Sequence, residues 1–95
     1  MPGAVRFGDY CSGHGCWPPR PNDQASQDVF VNGRGSHRLG DHWQSHCCSG
    51  SCHDAFAAQG SPDVFVNGKS MCRIGDMVSC GSTMEEGSAD VFVNG

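Results

Sequence analysis

Seven cysteines and five histidines in 95 residues carry most of the chemical capacity of this sequence. An odd number of cysteines cannot all pair internally. The opening Met1-Pro2-Gly3-Ala4-Val5 has neither the basic nor the apolar region of an export leader, so metal ligation is the first expectation for these side chains. Spacing narrows the set. His14 lies five residues after Asp9, His46 five after Asp41 and Cys80 four after Asp76, and each of these aspartates closes an Arg-x-Gly-Asp segment. Counted back from the repeated Asp-Val-Phe-Val-Asn-Gly, His53 precedes Asp63 by ten residues and Cys80 precedes Asp90 by ten. The convergent set is His14, His46, His53 and Cys80. Three imidazoles and one thiolate suit one tetrahedral Zn²⁺ ion. Four protein ligands leave no open position, the mark of a structural rather than a catalytic site. In zinc-finger peptides such binding is worth about 10–16 kcal/mol.

Other histidines and cysteines compete for roles. His42, beside Trp43, is an alternative to His46 or His53. His37 falls on a return strand and reads as an exposed strand residue. Cys47, Cys48 and Cys52 could hold a second ion together with Cys11 and Cys16, or Cys11 and Cys16 could form a local disulfide. Cys72 reads as packing. Trp17-Pro18-Pro19 and Trp43 read either as a contact surface or as covers for a small core beside the metal.

The elements that position these residues come from an internal repeat. Asp28-Val29-Phe30-Val31-Asn32-Gly33 recurs unchanged from Asp63 to Gly68 and from Asp90 to Gly95. Arg6-Phe7-Gly8-Asp9, Arg38-Leu39-Gly40-Asp41 and Arg73-Ile74-Gly75-Asp76 interleave with it. Val-Phe-Val fits a short strand, and Asn-Gly supplies the two positive-φ residues of a type I′ turn, so each unit predicts a β-hairpin. The third hexapeptide has no return strand after it, and Ala4-Val5-Arg6-Phe7 has no hexapeptide before it. The two ends are therefore expected to meet, residues 91–93 pairing around Val5-Arg6-Phe7, so that three units close a ring with pseudo-threefold symmetry. Such an object matches the end of a trimer, one copy per trimer.

Bulk properties agree with a single small domain over residues 1–95. Fourteen glycines and five prolines favour turns, and one Leu and one Ile make a thin core. A formal charge of −4 and the lack of a basic run argue against a nucleic-acid partner. No stretch has the length of a membrane-spanning helix.

The alternation of Arg-x-Gly-Asp, a Cys/His loop and Gly60-Ser61-Pro62-Asp63-Val64-Phe65-Val66-Asn67-Gly68-Lys69 resembles the PAAR-repeat proteins over essentially the whole chain. The segment that names that family is here Ser70-Met71-Cys72-Arg73 and Gly35-Ser36-His37-Arg38, of which only the Arg survives. The resemblance implies an all-β, pseudo-threefold cone of short hairpins, with little or no helix. A zinc ion would sit near its apex, held by three His and one Cys at His14, His46, His53 and Cys80. It implies a structural, non-enzymatic tip. Such a tip caps a trimeric β-helical spike, a VgrG protein of a type VI secretion system or a phage spike protein, with effector proteins as further cargo and only transient contact with a target membrane. The chain would be made in the cytoplasm without a signal peptide, assembled on the spike or baseplate, then secreted or injected, here with no fused effector. The hexapeptide strands are the candidate spike-facing surface: Val29, Phe30, Val31, Val64, Phe65, Val66, Val91, Phe92 and Val93.

Two rival classes are less favoured by the residues. A Cys–His pair could serve an enzyme as nucleophile and base, but the candidates follow repeat positions and no Gly-rich phosphate loop accompanies them. A generic zinc-binding or metal-storage module would predict several labile ions rather than one.

Overall fold

The structure, a computed structural model, describes residues 1–94. Gly95, second residue of the third Asn-Gly pair, lies outside the described residues. Among the described residues there is no helix, and the six strands run in the order β1 (Phe30–Val31), β2 (Arg34–Gly35), β3 (His42–Cys48), β4 (Ser51–Phe56), β5 (Phe65–Val66) and β6 (Lys69–Ser70). They form three antiparallel two-stranded hairpins.

The hexapeptide turns are built as their composition requires. Asn32 and Gly33 have φ of 54° and 78°, and Asn67 and Gly68 have 54° and 76°, the paired positive values of a type I′ turn. Phe30 faces Gly35 and Phe65 faces Ser70. The third hexapeptide finds its partner at the other end of the sequence: Phe92 faces Gly3, and Val93 N–H donates to Pro2 C=O at 2.9 Å. The expected meeting of the ends is present, but the paired segment is residues 2–4 rather than the stretch around Val5-Arg6-Phe7. The reason is that Val5 is used elsewhere. Its N–H donates to Cys72 C=O (3.1 Å), Cys72 N–H to His37 C=O (3.0 Å) and His37 N–H to Val5 C=O (3.0 Å). These three equivalent residues form a closed triangle of backbone hydrogen bonds, and all three are fully buried. Only one residue per unit can occupy that axis.

A second ring runs around the hexapeptides. Asn32 donates to Asp90 (2.9 Å), Asn67 to Asp28 (2.9 Å) and Asn94 to Asp63 (3.0 Å), each unit gripping the next. The Asn67 bond, then that from Ser26, holds the Asp28 carboxyl below the ordinary carboxylate range, and Asn32 and Ser88 do the same for Asp90.

Arg-x-Gly-Asp makes the corner after each return strand. The Asp N–H donates to the Arg C=O three residues back, at 3.0 Å in all three units, and the intervening Gly8, Gly40 and Gly75 have φ of 85°, 88° and 96°. A type II turn needs positive φ at that third position. The same Asp then binds its Arg twice, as in Arg38 Nε to Asp41 Oδ2 at 2.9 Å and Nη2 to Oδ1 at 3.0 Å. Arg6 with Asp9 and Arg73 with Asp76 repeat the fork.

Two small apolar clusters lie within this frame. One contains Ala4, Val31, Val66, Met71 and Val93; the other contains Val5, Cys11, Trp43, Ala55, Ala57, Cys72, Val78 and Met84, with Cys80 against it. The molecule is elongated, 38 × 24 × 21 Å. Three-unit closure by short hairpins without helix among the described residues, together with a His/Cys group that could hold a metal, agrees with the all-β pseudo-threefold fold the sequence predicts.

His37 corrects an expectation. It is fully buried rather than exposed, its ring edge-on to Trp43 with centroids 5.1 Å apart and its Nδ1 2.8 Å from Gln24 C=O. The axis position, not strand alternation, decides its environment. Cys72, as expected, is packing: burial pushes its thiol pKa well up and leaves it unreactive.

Candidate metal centre

The four residues selected by spacing come from all three units, and the fold brings them together. One ligand atom from each of His14, His46, His53 and Cys80 lies within 4.8 Å of every other. His46 and His53 face each other across β3 and β4. A register shift between Trp43 and His46 lets Trp43 point into the core while His46 reaches the centre. The β3–β4 loop is Ser49-Gly50, with φ of 50° and 81°, a second two-residue turn of the positive-φ kind. His14 arrives on the loop of the first unit and Cys80 on that of the third.

The ring nitrogens converge closely. His53 Nε2 is 2.6 Å from His46 Nε2 and 3.1 Å from His14 Nε2. His46 Nδ1 is 2.7 Å from Pro18 C=O, an acceptor that requires the proton on Nδ1 and leaves the Nε2 lone pair free. A ligand histidine oriented by a carbonyl through its other nitrogen is the usual supporting arrangement of a metal site. Desolvation, then the nearness of His46 and His53, lowers the His14 pKa and favours the neutral, ligating form. The donor set and its geometry therefore fit a metal ion, with one thiolate and three neutral imidazoles and no fifth ligand called for.

Two residues that spacing alone did not assign, Trp17 and Pro18, complete the site. Trp17 stacks on His14 with centroids 5.1 Å apart, lies 5.2 Å from His53, and donates Nε1–H to Ser51 C=O at 3.1 Å. It covers the histidines, while Trp43 fills the core, so the reading of both as covers fits the structure better than an open contact surface. The signal for Trp17 and Pro18 was the run His14-Gly15-Cys16-Trp17-Pro18, which places the candidate ligand His14, its cover and the carbonyl that orients His46 within five residues.

His42 stands apart from the centre. Its Nδ1 is 2.6 Å from Asp23 and its Nε2 2.8 Å from Asp54, and the Asp54 bond, then that from Asp23, raises its pKa. Both nitrogens are thus engaged by carboxylates, and it is not gathered with the other three histidines. Cys11 is buried and does not pair with Cys16.

At the hexapeptides the structure decides which side chains point outward. Phe30, Phe65 and Phe92 are 60%, 58% and 53% exposed, whereas Val31, Val66 and Val93 are 5%, 5% and 2% exposed in the core. Val29 and Val91 are exposed as well, and Val64 packs against that core.

Three repeat units closed head to tail, with four donor atoms from all three gathered together, define a small all-β domain with a group that could hold a metal ion. A search of curated proteins gave no match. A model of the PAAR motif matches residues 12–86, and the chain belongs to the PAAR-motif family, the spike-tip proteins of contractile injection systems.

Proposed function

We propose that this chain caps a trimeric β-helical spike, of the VgrG kind or of a phage tail, binding as one copy per trimer through its hexapeptide face. The observation that carries this reading is a single polypeptide presenting the same exposed phenylalanine three times, at Phe30, Phe65 and Phe92, around a hydrogen-bonded threefold ring. Exposed aromatic side chains in that arrangement are poor company for water and good company for the end of a threefold partner. Capping would also cover the unpaired strand ends of the spike, which otherwise invite association.

The apex ion in this reading is one Zn²⁺ held by His14, His46, His53 and Cys80. When bound, zinc supplies cross-linking rather than Lewis-acid chemistry, because four protein ligands fill its tetrahedral shell. The chain is then mechanical and not an enzyme: the closed ring bears load, the apex stays sharp, and sheath contraction drives both into an envelope.

Light scattering on a mixture with the trimeric spike protein tests the assignment. One chain per trimer is expected, and Phe30→Asp/Phe65→Asp/Phe92→Asp should abolish the complex while leaving metal content unchanged. Three chains per trimer, or undiminished binding of the triple variant, would contradict it.

A further inference from the structure

Four cysteines belong neither to the metal centre nor to the core: Cys16, Cys47, Cys48 and Cys52. Their positions follow from β3 and β4. Cys47 faces Cys52 across the hairpin, with Cα atoms 4.1 Å apart. Cys48 is the next residue on β3, so its side chain leaves by the opposite face. There it meets Cys16, Cα to Cα 5.7 Å, within the usual span of a disulfide. Adjacent strand residues that diverge in this way cannot deliver four sulfurs to one ion. The second metal site suggested by the sequence is replaced by two disulfides, Cys16 with Cys48 and Cys47 with Cys52.

Each of these cysteines sits next to a candidate ligand. Cys16 follows His14 by two residues, Cys47 and Cys48 follow His46 by one and two, and Cys52 precedes His53 by one. Pairing therefore ties the loop of His14 to the strand of His46, and the strand of His46 to that of His53. The remaining three thiols are out of reach: Cys11 and Cys72 are buried, and Cys80 faces the histidines. With a metal holding Cys80, four free thiols leave three possible connectivities, and the strand geometry selects one of them.

We propose that the apex is closed twice, first by its metal and then by oxidation of these two cysteine pairs, and that the crosslinks hold the three histidines in place so that the metal is retained. Each oxidation joins the two thiols of one pair into an S–S bond and releases two protons and two electrons. The acceptor is a small-molecule or protein disulfide, itself reduced to two thiols, as in any thiol-oxidising compartment. Retention rests on the metal-site reading; the pairing does not.

Two measurements on the full chain separate these parts. After exposure to oxidised glutathione, denaturation with a chelator and alkylation, mass spectrometry should count three modified cysteines, Cys11, Cys72 and Cys80, and proteolysis should yield the two named crosslinked peptides. The rate of zinc release to EDTA should be about tenfold slower, or more, for the oxidised chain than for the same chain reduced with a phosphine, by analogy with the cost of losing groups that orient metal ligands. Cys48→Ser should still bind one ion but release it faster than the oxidised wild-type chain. Seven modified cysteines, other pairings, equal release rates, or two ions on the reduced chain would overturn the proposal. Correct pairing in a chain that binds no metal would overturn retention and the metal reading together, while the crosslinks stand.

Discussion

The backbone N–H of Ala4 donates to the carbonyl of Val91 at 2.9 Å. Ser36 to Val29 and Met71 to Val64 are the same bond in the other two units, each also at 2.9 Å. The pairing of the third hexapeptide is thus assembled from segments some 87 residues apart in sequence and repeats this bond of the two local hairpins.

Equivalent bonds and burial predict similar energetics. Val31, Val66 and Val93 occupy equivalent buried places in one cluster. Removing two methyl groups from each should cost about 2 kcal/mol. Urea unfolding of Val31→Ala, Val66→Ala and Val93→Ala should therefore give similar losses. A near-neutral Val93→Ala would mean that residues 91–93 fray from the ring.

The Arg–Asp contacts should divide by burial. Asp76 and Arg73 are both nearly buried, and Asp76→Ala leaves the guanidinium without its bidentate partner. The expected loss is about 3–5 kcal/mol, a large part of the stability of so small a domain. Arg34, by contrast, reaches Asp9 from a side chain 40% exposed. Arg34→Ala should cost about 1 kcal/mol or less, since solvent screens that contact. Thermal unfolding of the two variants checks the contrast.

His37 predicts an acid limit. Desolvation, opposed by the Gln24 carbonyl, pushes its pKa down to about 4 from the ordinary value near 6.5. The unfolded chain accepts a proton that the buried ring refuses, so stability is complete above about pH 6.5 and is lost as pH falls from there towards about 4. The loss is on the order of 3 kcal/mol. His37→Asn keeps a donor for Gln24 but cannot titrate, and its urea midpoint should fall less between pH 7 and pH 4.5 than that of the wild-type chain. Equal slopes would remove His37 as the cause.

The repeat made much of this legible in advance. Three identical hexapeptides announce three strand pairings, and the positions of His14, His46, His53 and Cys80 relative to Arg-x-Gly-Asp and Asp-Val-Phe-Val-Asn-Gly pick out the four residues that the fold gathers. What was not legible depends on the third dimension. The hairpin of β3 and β4 interrupts the repeat, and its Ser49-Gly50 turn is a weaker signal than Asn-Gly. The burial of His37 follows from the axis triangle, which no strand periodicity encodes. Outward Phe30 and inward Val31 share one alternating pattern, and only the cluster of Val31, Val66 and Val93 fixes its phase. The pairing of Cys48 with Cys16 needs the strand faces to be known.

Zinc K-edge X-ray absorption on the purified chain, with metal stoichiometry from the same sample, bears most directly on the closed apex. One zinc per chain with a first shell of three nitrogens and one sulfur is the predicted result, and Cys80→Ser should remove the sulfur scatterer. A chain without zinc, a shell with two or more sulfurs, or a bound water in place of a protein ligand would contradict it.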